Sequence, residues 1–125
     1  GRGDRAYRYL KDFQRAFVTR NGFHVNGDQL KIGLSRFRYR PFTLEGNFGY
    51  ARGIQEMLLR YDIEKNEYHL FPALPKAWDG KEVSFCDLRI PGGHRISARR
   101  AADGTVTHTF VPYPGSKNHP ALAIK

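Results

Sequence analysis

The stretch Arg40-Pro41-Phe42-Thr43-Leu44-Glu45-Gly46-Asn47-Phe48-Gly49-Tyr50-Ala51-Arg52-Gly53-Ile54-Gln55-Glu56-Met57-Leu58-Leu59-Arg60 changes character halfway along. Pro41 to Leu44 read as extended chain, because a residue before proline avoids the helical region and Phe-Thr-Leu suits a pleat. Gly46-Asn47 breaks that run, and Asn47 is a good N-cap. From there Tyr50, Ile54, Met57 and Leu58 recur at helical spacing and form one apolar stripe. Glu45 is therefore expected just outside a helix N-terminus. The partial positive charge of a helix start favours an ionised carboxylate. A charged carboxylate at a loop-to-helix junction is what a general base requires.

Upstream, Asp4 is a plausible N-cap for an amphipathic helix. Its stripe is Ala6, Leu10, Phe13 and Phe17, its opposite face is charged, and Asn21-Gly22 is a stop signal just past Arg20. One such helix needs neighbours to bury its stripe. Phe23 to Tyr39 then form a long connection that holds His24, Asn26, Asp28 and Gln29 within six positions. Loops of this length tend to be functional or disordered. Asn26-Gly27-Asp28 also makes a good tight turn on its own account.

Downstream, the composition shifts. Tyr61 to Glu67 is charged and reads as an exit turn from the helix. Tyr68 to Phe71 is a short strand, Pro72 and Pro75 bracket a rigid corner, and Trp78 is expected as an anchor. Val83 to Ile90 is a strand ending in the sharp bend Pro91-Gly92-Gly93. Arg95 to Arg99 and Thr105 to Val111 flank Ala102-Asp103-Gly104, a strong hairpin signal. Pro112 to Pro120 reads as a tail of turns, after which the sheet looks incomplete. The fold class is thus α+β: helices before about residue 62, antiparallel strands from 63 to 125.

The 125 residues amount to one domain or two small pieces. No apolar run is long enough to span a membrane. The single Cys86 excludes an intrachain disulfide, and in a strand pattern it reads as a small buried residue rather than a nucleophile. With no cysteine pair and five scattered histidines, a structural zinc site is not expected, nor is any other metal or cofactor. No serine–histidine–aspartate set and no glycine-rich phosphate loop can be assembled. The net charge of +9 invites a nucleic-acid reading. Arg36, Arg38 and Arg40 alternate with Phe37 and Tyr39, which places arginines on one face of a strand and aromatics on the other. A half-buried strand with a solvated face explains that pattern more simply, so nucleic acid is disfavoured as a partner.

The run Phe42-Thr43-Leu44-Glu45-Gly46-Asn47-Phe48-Gly49, followed by Gly53-Ile54-Gln55-Glu56-Met57-Leu58-Leu59, resembles the motif near the end of the catalytic domain in glycoside hydrolase family 95. That family contains α-L-fucosidases. The resemblance continues through Leu70-Phe71-Pro72-Ala73-Leu74-Pro75 and Trp78 to Arg89-Ile90-Pro91-Gly92-Gly93, and covers about residues 4 to 111. It implies that residues 1–62 are the C-terminal part of an (α/α)6 catalytic barrel and that 63–125 are an incomplete C-terminal β domain, sandwich-like. It implies an inverting hydrolase of an α-linked L-fucose or galactose-like sugar, secreted or periplasmic. The partners it implies are a carbohydrate substrate and the remainder of the barrel.

Within the resemblance Glu45 falls on the general base. His24, Asn26, Asp28, Arg40 and Asn47 become candidate substrate-binding residues, with His24 and Asp28 as hydrogen-bonding partners for sugar hydroxyls. Arg40 would fix a hydroxyl, orient Glu45 or simply pair with it. The family's motif carries Asp where this chain has Glu45. The extra methylene moves the carboxylate outward by about 1.5 Å. The family's general acid and the two asparagines that polarise its base lie upstream of the matching segment. Two other readings stand beside this one: a non-catalytic carbohydrate-binding or structural β module, and a basic nucleic-acid-binding domain.

Overall fold

The computed structural model describes residues 2–37, 41–116 and 121–123. The fold is α+β: two helices followed by two small sheets. Helix α1 runs Gly3–Phe17 and helix α2 runs Leu44–Leu58. Strands β1 (Leu59–Asp62) and β2 (Glu67–Leu70) form an antiparallel hairpin, and β6 (Ala121–Ala123) adds to β2 in parallel. Strands β3 (Val83–Arg89), β4 (Arg95–Arg100) and β5 (Val106–Val111) form an antiparallel meander.

α1 starts at Gly3 rather than after an Asp4 cap. Asp4 instead accepts the backbone N–H of Lys76 at 2.7 Å. Gly3 is required there: a Cβ would lie 2.0 Å from the Leu74 carbonyl oxygen. The helix ends at Phe17, short of Arg20, because Val18 turns extended and bridges His24. Asn21-Gly22 is the tip of that small excursion, with Gly22 at φ +84°. Trp78, at the end of a short 3-10 turn, anchors α1 through an edge-on contact with Tyr7 at 5.7 Å.

α2 also starts earlier than its sequence suggests. Thr43 has the extended backbone of an N-cap, so Leu44 and Glu45 are already helical and Asn47 lies inside the first turns. Asn47 is therefore no cap. Its amide is drawn sideways to the 22–24 backbone instead. The stripe of α2 packs on α1: Phe13 stacks on Tyr50 at 5.7 Å, and the hydrogen-only side chain of Gly53 admits Leu10. Met57, near the end of α2, is buried.

Helix passes directly into strand at Leu59, so Tyr61 to Glu67 is not an exit turn. Tyr61 and Asp62 pair with Tyr68 and Glu67, and the turn of the hairpin occupies 63–66. Tyr61 stacks on Tyr68 across the ladder at 4.7 Å. In β3, Phe85 faces Ala98 and Leu88 faces Ile96. An odd spacing would put Phe85 and Leu88 on opposite faces of a regular strand. A bulge at Cys86-Asp87, with Asp87 at φ +53°, restores both to the same side. Cys86 is exposed there, contrary to the buried role its strand pattern suggested. The two sheets share one core, made of Leu59, Tyr68, Leu70, Ile90, Ile96 and Ala98. Arg36 and Phe37 are exposed and outside any strand, and the remainder of the alternating stretch, 38–40, lies outside the described residues.

Candidate functional site

The connection between α1 and α2 is tied to both helices by its backbone. Val25 N–H donates to Phe17, Gln29 N–H to Ala16 and Asn26 N–H to Pro41, at 2.8, 2.8 and 3.1 Å. Thr43 N–H closes the loop on the His24 carbonyl at 3.2 Å. His24 thereby reaches the junction of the helices and is only 7% exposed. Its ring stacks on Phe13 at 5.0 Å and 9°. On its other side Gly46 lies so close that a Cβ there would be 2.2 Å from the ring.

The polar edge of the ring is fixed as tightly. Nδ1 bonds the Thr43 hydroxyl and lies 3.2 Å from the Thr43 carbonyl oxygen. The Thr43 hydroxyl donates in turn to Asn26 Oδ1 at 3.3 Å. A carbonyl only accepts, so Nδ1 carries the proton in the neutral ring and Nε2 presents a lone pair. Thr43 spends its hydroxyl on this relay, which is why it makes no side-chain cap on α2.

His24 and Asn26 line an open cavity of about 400 Å³ with Phe13, Phe17, Leu34 and Phe37. This is the size of a small-ligand site, mostly apolar with few polar groups. A cavity of about 500 Å³ lies on the β3–β5 sheet face, beside Ser84, Cys86 and Ser97, and holds none of the expected residues. The one within the loop is the better candidate on chemistry.

Asp28 is buried beside this cavity but does not line it. Burial pushes its carboxyl up, and the backbone amides of Leu34, Ile32, Gly33 and Leu30 outweigh that and hold it below the usual carboxylate value. Oδ2 accepts the Leu34 N–H at 3.0 Å, and Oδ1 is buried without a hydrogen-bond partner among the described residues. Asp28 thus shapes the 28–34 turn. Asn47 bonds the backbone of Gly22 and His24, stapling the loop. Glu45 is exposed in the first turn of α2, and its carboxylate makes no hydrogen bond or ion pair among the described residues. Arg40, and with it the expected contact to Glu45, lies outside the described residues.

Two participants escaped the sequence reading. Thr43 reads from sequence as part of the extended run Pro41 to Leu44, and Phe13 as ordinary helix stripe. A Thr immediately before a helical run is an N-cap signal, and it would have identified the hinge. Around the loop, Phe23, Leu30, Ile32, Leu34, Phe37, Phe42, Leu44 and Phe48 remain exposed. Among the described residues no cluster of histidine, cysteine and carboxylates could hold a metal ion, and no helix is long and apolar enough to cross a membrane. No family model, no curated protein and no solved structure matches the chain.

Proposed function

We propose that this chain is the C-terminal segment of an inverting glycoside hydrolase, resembling family 95, that acts on an α-linked L-fucose or galactose-like sugar. In this reading α1 and α2 are terminal helices of an (α/α)6 barrel, and the two sheets belong to a sandwich-like C-terminal domain. Glu45 is the general base. The observation that supports it is the placement of Glu45 between Thr43 and Gly46, both of which are locked against the buried His24 ring. The backbone carrying the carboxylate is held on both sides, while the carboxylate itself is exposed and makes no hydrogen bond or ion pair among the described residues. A positioned base needs this combination of rigid attachment and freedom to meet water.

Chemically, Glu45 would take a proton from a water attacking the anomeric carbon. A second carboxyl, outside this chain and about 6.5–9.5 Å from the Glu45 carboxylate, would protonate the leaving oxygen at hydrogen-bond distance. His24 Nε2 and Asn26 would offer hydrogen bonds to sugar hydroxyls at the cavity wall. The experiment is proton NMR of the first sugar released from an aryl α-L-fucoside or α-galactoside by the complete protein carrying this segment. The β anomer is expected. Release of the α anomer, or no hydrolysis of either class, would refute the reading.

A further inference from the structure

The outer face of α1 is unusually cationic, and the catalytic reading makes no use of it. Arg5, Arg8, Lys11 and Arg15 recur at spacings of three, three and four, which places them on one side of the helix. All four are exposed, as is Arg2 at the helix start. None makes an ion pair among the described residues; the pairs present are elsewhere, at Arg52–Glu56, His69–Asp62, Arg95–Asp87 and Arg99–Glu82. The acids of the same helix, Asp4 and Asp12, make no ion pair with the stripe among the described residues and leave it with a net positive charge. Asp4 is turned to the Lys76 amide, and Asp12 is half-buried.

Three of the four cations are also held in place. The Arg5 and Arg8 guanidinium groups lie 5.4 and 5.5 Å from the centre of the Tyr9 ring, and Arg5 Nε donates to the Tyr9 hydroxyl at 3.0 Å. The Lys11 ammonium lies 5.3 Å from the Tyr7 ring. Side chains already restrained lose less freedom on binding. From Arg5 to Arg15 the stripe is about 15 Å long, at 1.5 Å per residue.

We propose that this face of α1 binds a sulfated polysaccharide. Charge complementarity requires a polyanion, and three of the four cations are arginines, whose planar, weakly hydrated forks match tetrahedral oxyanions. Sulfates displayed along the outside of a polysaccharide can meet a shallow convex helix without a groove. Nucleic acid fits less well. The N-terminal end of α1 is packed beneath Leu74 and Lys76, so it cannot enter a major groove end-on. The Tyr9 ring is already engaged by two guanidinium groups, which compete with a base for stacking on it. The proposal does not depend on Glu45 or on hydrolysis.

The test is binding of the chain to heparin across a salt series, with a single-stranded oligonucleotide of equal charge in parallel. Wild type should bind heparin more tightly than the oligonucleotide, with affinity falling as salt rises. The triple variant Arg5→Gln, Arg8→Gln, Arg15→Gln should lose about tenfold or more at about 50 mM salt and show a shallower salt dependence, as for any polyelectrolyte. Arg99→Gln, on the distant sheet, should bind like wild type. Should the triple variant melt early, Arg8→Gln and Arg15→Gln are measured singly, each expected to lose a few-fold. Heparin binding unchanged in the arginine variants would overturn the proposal. Tighter binding of the oligonucleotide would overturn it too, in favour of a nucleic-acid surface.

Discussion

Asn47 holds His24 by its backbone: Asn47 Oδ1 accepts the His24 N–H at 2.8 Å, while Asn47 Nδ2 donates to the Gly22 carbonyl at 2.7 Å. One amide side chain, one turn into α2, thus fastens the loop that presents the buried ring. Asn47→Ala should destabilise the chain by about 1–3 kcal/mol, since a part-buried N–H is left unmet. Asn47→Asp keeps the acceptor and loses the donor to Gly22, so it should cost less. Urea denaturation of the three proteins measures the order; equal stability of Ala variant and wild type would show that the staple contributes nothing.

Gly46→Ala probes the other side of the same ring. The new Cβ would fall 2.2 Å from His24 Cγ and Nδ1. The ring cannot step aside, because Phe13 stacks on it and Thr43 holds Nδ1. Alanine usually favours a helix over glycine by about 1 kcal/mol. Here overpacking should reverse that sign, with a loss of about 1–3 kcal/mol. A variant that gains stability on thermal melting would mean that the loop is not held against α2.

Much of the strand pattern was legible because it is local. Ala102-Asp103-Gly104 carries its own turn chemistry: Asp103 Oδ1 accepts the Thr105 N–H at 2.8 Å and Gly104 takes φ +91°. β3, β4 and β5 follow from that turn and from alternation. What failed was non-local. β1 hides in a charged segment, and only its pairing with β2 makes Tyr61 and Asp62 a strand. β6 finds its parallel place on β2 across more than fifty residues of chain. At the site, His24 and Asn26 were legible as polar residues in a long loop, but the burial of His24 depends on Phe13, Thr43 and Gly46, each remote in sequence. The helix cap, Thr43, lies four residues before the Asn47 cap expected from sequence, because Gly46-Asn47 is a stronger signal on paper than Thr43. Nothing in the sequence showed that Gly46 was needed for close approach rather than as a break.

Tyr68 should reveal itself at high pH. It is 1% exposed, and its hydroxyl is buried without a hydrogen-bond partner among the described residues. Burial, with a smaller contribution from Tyr61, pushes its ionisation up to about 12 from 10.0. The folded chain therefore resists losing this proton more than the unfolded chain does. The stability tied to it is present below pH 10.0 and is lost as pH rises toward about 12. Tyr68→Phe should be neutral or stabilising at pH 7, since an unsatisfied group is removed, and should flatten the alkaline limb. An unchanged alkaline limb in the variant would assign the loss to other groups.

Asp28 governs the opposite limb. Burial raises its ionisation, but the amides of Leu34, Ile32, Gly33 and Leu30 win and set it below 3.8. The folded state thus favours the carboxylate. Its contribution is present above about pH 3.8 and disappears as pH falls through the lower folded value. Asp28→Asn should be less stable than wild type at pH 7, and the difference should shrink on acidification. Thermal melts from pH 7 to pH 2 measure it; a gap that stays constant would mean that the charge of Asp28 is not what orders the 28–34 turn.

Glu45 carries the account, and the most direct measurement is turnover of an aryl α-L-fucoside or α-galactoside by the complete protein in wild-type, Glu45→Gln and Glu45→Asp forms. Thermal melts are run on the same samples. Glu45 is exposed and without a partner among the described residues, so both variants should melt like wild type. Glu45→Gln should reduce turnover by roughly 10²–10⁴-fold, the usual contribution of a positioned base. Glu45→Asp draws the carboxylate back by about one bond length, and displacement of about 1 Å can cost about 100-fold, so it should fall between the other two. Wild-type turnover in a normally folded Glu45→Gln protein would contradict the account.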